Sequence, residues 1–213
     1  MPKISEAFPR ISKAFLRIKR VTFLGYADAK EADDPFKAAF EVAKLCAQRG
    51  LTVVNGAGPG VMKAATLGAH EGGGRAIGIT FYPKDIPIFE GRDEANKVDQ
   101  LEVMDNYLAR TLKLLEVGQV HIIFNGGTGT ISEFGMAWGL AHLYFGHHKP
   151  LILYGNFWHE IIFAFTKGMY IRPEERQVFK IVNKPEEVIE SIDEFEKLIA
   201  SQEHNHANPI FSI

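Results

Sequence analysis

A glycine-rich run that ends in a carboxylate is the part of this sequence best suited to do chemistry. Residues 125–133 read NGGTGTISE, with Glu133 in the last position. Glycine lets a backbone fold tightly and approach a ligand closely, and a helix that starts in such a loop points unpaired N–H groups at an anion. The run therefore predicts a phosphate site. The residues predicted to hold the phosphate are Gly126, Gly127, Thr128, Gly129 and Thr130.

Glu133 lies about one helical turn beyond this predicted site, near a bound phosphate but not on it. Cleavage of a ribosyl C–N bond passes through an oxocarbenium-like state, which a carboxylate can stabilise or assist by deprotonating the attacking water. Arg110, on the predicted preceding helix, can orient Glu133 or bind the ribose or the phosphate with its forked donors. This chemistry requires no metal or redox cofactor.

A structural explanation of Glu133 competes with the catalytic one. Residues 130–133 have the sequence of a capping box, in which Thr130 is the N-cap and the Glu133 carboxylate accepts a hydrogen bond from the Thr130 N–H. Both explanations are open at this point. A Glu133→Gln variant separates them, because glutamine preserves the cap and removes a catalytic carboxylate.

A second glycine-rich loop spans residues 55–62, NGAGPGVM, and contains Gly56 and Gly58. It fails as a dinucleotide-binding fingerprint, because Val61 stands where a glycine is needed and no acidic residue follows about twenty positions later. It also lacks the Gly-Lys-Ser/Thr of a Walker loop. Taken alone, the loop is equally consistent with a structural turn and with a ligand-binding role.

Short β-rich runs alternate with helical stretches along the chain, which predicts an α/β fold with a doubly wound parallel sheet. Ligands bind such sheets outside the carboxyl ends of the strands, where both glycine loops fall. The predicted strands are Val21–Gly25, Leu51–Asn55, Ala76–Phe81, Val120–Phe124, Pro150–Tyr154 and Val178–Val182. The predicted helices lie near Pro35–Arg49, Pro59–Glu71, Asn106–Val117, Thr130–Leu143, Phe157–Lys167 and Pro185–Ile199.

The predicted organisation is a basic N-terminal extension (residues 1–20), one nucleotide-binding domain (21–200) and a loosely ordered tail (201–213). The extension has apolar residues at helical spacing, which favours a helix packed on the domain or on a second subunit, with membrane-surface binding as the minority alternative. A net charge of −2 gives no reason to expect nucleic acid or membrane as a partner.

The numbers and positions of the cysteine and histidine residues argue against a disulfide-bonded protein and against a metal site. One cysteine, Cys46, excludes an intrachain disulfide, and its predicted helix makes it a core residue. No pair of histidines has a helical metal-binding spacing with a carboxylate partner, so no metal site is predicted. With no signal peptide and no bilayer-spanning run, we expect a cytoplasmic protein.

Together, the two loops and Arg110 resemble the Lonely Guy (LOG) family of nucleotide phosphoribohydrolases, long mislabelled as lysine decarboxylases. The residues that carry the resemblance are the Gly-Gly-x-Gly-Thr-x-x-Glu run, Arg110 sixteen residues before Gly126, and the Gly-x-Gly-x-Gly-Val-Met of the second loop. The resemblance covers roughly residues 21–199.

The resemblance implies a Rossmann-like fold in three α/β/α layers, a homodimer, and hydrolysis of a nucleoside 5′-monophosphate to free base and ribose 5-phosphate. It makes Glu133 and Arg110 the catalytic pair and requires no cofactor. It also extends the substrate-binding set beyond the phosphate loop. The added residues are Gly25, Gly56 and Gly58.

The chain departs from the family pattern at several positions, which we expect to affect the choice of substrate more than the chemistry. Asn125 replaces a proline, Thr111 replaces a lysine, and Tyr26 replaces a serine after Gly25. Residues 104–107, MDNY, replace the usual Met-His. The alternative function is a carrier that binds a phosphorylated ligand without turning it over, as molybdenum-cofactor carrier proteins of similar fold do. Glu133 would then be only a cap.

Overall fold

The structure of the protein, a computed structural model, describes residues 18–83, 92–143 and 149–201. Its strands are β1 (Arg20–Leu24), β2 (Thr52–Asn55), β3 (Ala76–Phe81), β4 (Gln100–Met104), β5 (Val120–Ile123), β6 (Leu151–Tyr154) and β7 (Phe179–Val182). Its α-helices are α1 (Asp34–Gln48), α2 (Val61–Glu71), α3 (Tyr107–Val117), α4 (Thr128–Leu143), α5 (Phe157–Gly168) and α6 (Pro185–Ser201), with a 3₁₀ turn at Pro173–Arg176.

The strands form one parallel sheet in the order β4-β3-β2-β1-β5-β6-β7. The chain winds outward from β1 to β4 and then returns to place β5 beside β1, where Val21 pairs with Val120. The winding direction therefore reverses between β1 and β5. This is the predicted doubly wound arrangement, and the reversal opens a crevice at the carboxyl ends of these two strands.

Helices cover both faces of the sheet, because its central strands carry apolar side chains on both sides. On one face, α1, α2 and α6 pack against a core that includes Val21, Phe23 and Ile122. On the other face, α3, α4 and α5 pack against Leu24 and Ile123. The predicted Rossmann-like fold in three α/β/α layers is thus confirmed.

Strand β4 is the one strand of the sheet that the sequence does not predict. In the part of the chain that the structure describes, it lies at the edge of the sheet, pairs only with β3, and leaves Leu101 and Val103 exposed to solvent. An edge strand with an open face has no need of the continuous apolar run that marks the buried strands. For this reason, the sequence of β4 resembles that of a loop.

Most of the predicted N-terminal extension and nearly all of the predicted tail lie outside the described residues. The division of the chain into an extension, a domain and a tail therefore stays a prediction. Within the described part, no helix is both long enough and apolar enough to cross a bilayer.

Candidate functional site

Three loops meet at the crevice beside β1. The N–H of Tyr26, just after β1, donates to the Asn125 carbonyl of the first glycine loop at 2.9 Å. The Tyr26 carbonyl accepts from the Val61 N–H at the end of the second loop at 3.0 Å. These contacts frame a cavity of about 230 Å³. The residues that line it include Gly25, Tyr26, Gly56, Met62, Tyr107, Arg110, Gly127, Thr128, Gly129, Thr130 and Glu133.

The first glycine loop opens directly into helix α4. The first backbone hydrogen bond of this helix runs from the Ile131 N–H to the Gly127 carbonyl at 3.0 Å, which makes Gly127 the N-cap. The N–H groups of Thr128, Gly129 and Thr130 therefore have no intrahelical acceptor, and all three residues line the cavity. An anion in the cavity would meet these donors and the positive end of the helix dipole.

The capping-box explanation of Glu133 is wrong in its geometry. It requires Thr130 at the N-cap, but α4 begins at Thr128, so Thr130 is the third residue of the first turn. The Thr130 side chain lies over Gly126, where a Cβ would overlap its Oγ1 atom. The carboxylate of Glu133 is instead bound by Arg110.

Arg110 and Glu133 form a buried ion pair on the cavity wall. Nη1 of Arg110 donates to Oε1 of Glu133 at 3.0 Å, and each residue is only 6% exposed. Nε of Arg110 donates to the carbonyl of Ile79, a residue within β3, at 3.2 Å. Asn106 sets the start of α3 by accepting from the Ala109 N–H, which places Arg110 on the buried face of the helix. The structure thus brings together the two residues predicted as the catalytic pair.

Gly56 makes room for this ion pair. A Cβ at Gly56 would overlap Nη2 of Arg110 and would lie 2.7 Å from Sδ of Met62. The φ angle of Gly56 is not positive, so the backbone itself does not require glycine there. The second glycine loop therefore accommodates the Arg110 side chain, a role that its sequence does not reveal.

The remaining predicted glycines have mixed positions. Gly25 lines the cavity and packs closely, since a Cβ there would lie 2.8 Å from Cγ1 of Val61. Gly58 is buried, and its carbonyl accepts from Nδ2 of Asn96 at 2.8 Å. Among the described residues, Gly58 and Gly126 are not part of the cavity lining.

Tyr107 joins the two helices that carry the ion pair, and the sequence does not single it out for this role. The hydroxyls of Tyr107 and Ser132 form a 2.6 Å hydrogen bond, and the Ser132 hydroxyl also donates to the Gly129 carbonyl at 2.8 Å. Tyr107 precedes Arg110 by three residues and so shares its side of α3. This spacing is the signal that could have found it.

Burial raises the pKa of Glu133, although the charge and the hydrogen bond of Arg110 act to lower it. Desolvation is the larger cause because the carboxylate has almost no contact with water. A carboxylate with a raised pKa is a better proton acceptor than an ordinary glutamate. The site therefore favours a residue that takes up and releases a proton.

We expect the unfolding free energy of the wild type, measured relative to Glu133→Gln, to fall as pH rises. Because the folded-state pKa of Glu133 is raised, its stabilising contribution is fully present below the unfolded-state pKa and is lost as pH rises through the folded-state pKa. Urea unfolding of both proteins from about pH 4 to about pH 8 measures the difference. Groups common to both proteins, such as Asp99, cancel. A difference that grows with pH would contradict the raised pKa.

The described residues contain no group of three or more His, Cys, Asp or Glu side chains placed to hold a metal ion. Nε2 of His142 lies 3.8 Å from Oε1 of Glu175, an oxygen that also lies 3.7 Å from Nε of Arg172. Four further histidines, His147, His148, His204 and His206, lie outside the described residues.

Comparison with known proteins assigns the family. The profile of the SLOG cluster4 family matches residues 19–189, which include both glycine loops, Arg110 and Glu133. The chain belongs to the SLOG cluster4 family. This assignment confirms the resemblance to the LOG family inferred from the glycine and glutamate motif.

The relatives of this SLOG cluster4 protein have names that state different functions. A rice (Oryza sativa subsp. japonica) protein, the probable cytokinin riboside 5′-monophosphate phosphoribohydrolase LOGL2, is 25% identical over 169 residues, which are 74% of this chain and 65% of the rice protein. The chain thus spans just under two thirds of the length of that relative.

Solved structures show the same fold in other settings. The molybdenum cofactor binding protein from Rippkaea orientalis matches with a TM-score of 0.61 and 25% identity, over 84% of this SLOG cluster4 chain and 97% of its own. DNA processing protein A from Helicobacter pylori matches with a TM-score of 0.57 and 15% identity, over 84% and 81%. At that identity, the second likeness shows the fold alone.

Proposed function

We propose that the protein hydrolyses the N-glycosidic bond of a nucleoside 5′-monophosphate, of the AMP or cytokinin riboside monophosphate type, to free base and ribose 5-phosphate. The observation that carries the proposal is the buried Arg110–Glu133 pair on the wall of a cavity that the N-terminus of helix α4 also lines. The family and the rice relative support it. The working compartment in this proposal is the cytoplasm.

In this proposal the phosphate anchors and orients the substrate, and the Glu133 carboxylate acts at the bond that breaks. The N–H groups of Thr128, Gly129 and Thr130 bind the 5′-phosphate and fix the ribose in the cavity. Binding energy from this remote group then orients the anomeric carbon towards Glu133. As C1′ loses the base, its developing positive charge is stabilised by the carboxylate, which is held in place by Arg110.

The reaction adds one water molecule across the C1′–N bond. Water forms a bond to C1′, the C1′–N bond breaks, and its electron pair goes to the nitrogen of the leaving base. Glu133 takes one proton from the attacking water, and the base nitrogen takes one proton from solvent; Glu133 then releases its own proton to solvent. Nη2 of Arg110 donates to the weak acceptor Sδ of Met62 at 3.8 Å, and this nitrogen can instead donate to a substrate oxygen.

A product assay tests this function. The pure protein is incubated with AMP, prenylated AMP and pyrimidine monophosphates, and the free base and ribose 5-phosphate are measured. We expect equal amounts of both products from at least one nucleotide. No base released from any of them would contradict the hydrolase.

The second candidate is a carrier that binds a phosphorylated ligand without turning it over. It is favoured by the likeness to the molybdenum cofactor binding protein and by the engagement of the Glu133 carboxylate with Arg110. In a carrier, Glu133 is only the partner of Arg110, so a glutamine there changes neither function nor binding. The net charge of −2 does not favour nucleic acid or an acidic membrane as a third possibility.

A homodimer is part of the proposal. Leu108 and Leu112 lie one turn apart on α3, the helix that carries Arg110, and are 63% and 53% exposed. Two large apolar side chains on one exposed helix face are typical of a surface that a partner covers. A second copy of the chain is the partner that the family resemblance implies.

We expect the double substitution Leu108→Glu and Leu112→Glu to convert the dimer to a monomer, because it places four carboxylates across a two-fold contact. Light scattering measures the mass. Leu67→Glu is the matched control, since Leu67 is also exposed but lies on α2, in the opposite helix layer. A monomeric wild type would rule out this interface.

A further inference from the structure

Tyr26 is an aromatic side chain held at the mouth of the cavity. Its backbone is fixed on both sides, by the Asn125 carbonyl and by the Val61 N–H. The residue nevertheless lines the cavity and stays 44% exposed. Gly60 permits this placement, because a Cβ there would overlap the Tyr26 carbonyl. The ring is therefore presented by an anchored main chain rather than packed in the core.

The size of the cavity decides where a base would lie. Its volume of about 230 Å³ is below the roughly 300–1,000 Å³ of pockets that enclose a whole small molecule. A nucleotide with its phosphate at the exposed residues Thr128 and Gly129 and its ribose beside the buried Glu133 therefore extends beyond the cavity, and its base lies against the exposed rim. Tyr26 is the exposed aromatic residue among those described as lining the cavity.

Tyr107, the second tyrosine that lines the cavity, has a structural role. The Tyr107 hydroxyl is bound to Ser132, and its ring packs edge-to-face on Phe81 with centroids 6.1 Å apart. It is thus a fixed part of the wall. Tyr26 is instead 44% exposed, which leaves surface available to a flat aromatic group that stacks on it.

The cavity lining offers little that could read the edge of a base. Among the described residues that line it, there is no Asn, Gln, Asp or His side chain. Its charged side chains, Arg110 and Glu133, are paired with each other, and its threonines belong to the phosphate loop. Recognition of a base by its face depends weakly on which base it is.

We infer that Tyr26 stacks on the nucleobase and that the site accepts nucleoside 5′-monophosphates with little discrimination between bases. This inference rests on the proposed function and narrows it to a substrate class. The residue acts by binding the base and takes no part in bond breaking. It also gives a role to one of the positions where the chain departs from the family pattern.

Binding measurements in the Glu133→Gln variant, in which turnover is blocked, test the inference. Calorimetry compares AMP with ribose 5-phosphate, which has the same phosphate and sugar but no base. Adding Tyr26→Ala should weaken AMP binding by about tenfold or more and ribose 5-phosphate binding by less than about twofold. Tyr26→Phe keeps the ring and should bind both ligands as the parent does.

Each other outcome overturns the inference. Equal losses for AMP and ribose 5-phosphate would mean that Tyr26 shapes the cavity and does not stack on the base. No AMP binding to the parent variant, or no effect of Tyr26→Ala, would remove the stacking role. Affinities for AMP, GMP, CMP and UMP should agree within about tenfold, and a preference of about a hundredfold for one base would contradict face recognition.

Failure of the proposed function gives a different pattern. If the wild type releases no base from any nucleotide, yet Tyr26→Ala selectively weakens AMP binding, then the hydrolase is wrong and the base-stacking site remains. If turnover is observed but the selective loss is not, the hydrolase stands and the role of Tyr26 is wrong.

Discussion

Replacement of Glu133 by glutamine should lower the turnover of a nucleoside monophosphate by about 10²–10⁴-fold, the range typical of a lost acid–base group. Glutamine is isosteric and keeps an oxygen that can accept from Nη1 of Arg110, but it cannot take a proton or carry a negative charge. Single-turnover measurements of base release compare the two proteins under saturating substrate.

The folded state should tolerate this change. Burial outweighs Arg110 in setting the pKa of Glu133, so the ionised carboxylate is the form that the folded protein disfavours. We therefore expect a melting temperature within a few degrees of the wild type and unchanged affinity for inorganic phosphate. Wild-type turnover in the variant would leave Glu133 as a structural partner of Arg110 and would favour the carrier.

Substitution of Gly56 by alanine should lower turnover by about 100-fold although Gly56 touches no reacting atom, because misplacement of a catalytic group by about 1 Å has effects of this size. The new Cβ overlaps Nη2 of Arg110, so the guanidinium must move away from Glu133 and from the Ile79 carbonyl. The unfolding free energy should also fall by about 1–3 kcal/mol from overpacking. Steady-state kinetics and thermal melts measure the two effects.

Two variants test this explanation of Gly56. Gly168→Ala is the matched control, because a Cβ at Gly168 meets nothing within 4 Å and its φ is not positive; it should change neither activity nor melting temperature noticeably. The double variant Gly56→Ala/Arg110→Met should be no less active than Arg110→Met alone, since the added methyl then has no guanidinium to displace and meets only the flexible side chain of Met62. Additive losses would mean that Gly56 acts on the substrate directly.

The phosphate loop was predictable because its signal is local. The glycines, the preceding apolar strand and the helical spacing after Thr130 are consecutive in sequence, and together they indicate a strand, a tight turn and a helix N-terminus. Even so, the prediction placed the N-cap at Thr130 and not at Gly127, because Thr-x-x-Glu matches a capping box. Gly127, the N-cap of α4, has no side chain by which the sequence could identify it as a cap.

The sequence does not predict the detailed geometry of the Arg110–Glu133 ion pair. Its geometry depends on how α3 and α4 pack on the sheet, on the carbonyl of Ile79 and on the space that Gly56 leaves. These contacts join four separate segments, and no spacing within one segment encodes them. Strand β4 was missed for a related reason, since an edge strand gains its structure from pairing with β3 more than from its own pattern.

Folding must close the gap between β1 and β5 before the crevice exists. Val21 and Val120 are roughly a hundred residues apart in the chain, so their pairing has a large loop-closure entropy and is non-local. Partly folded states that lack this pairing cannot bring the two glycine loops together. A ligand that bridges the two loops can therefore bind only after this pairing has formed. It should slow unfolding of the native protein while leaving the folding rate almost unchanged.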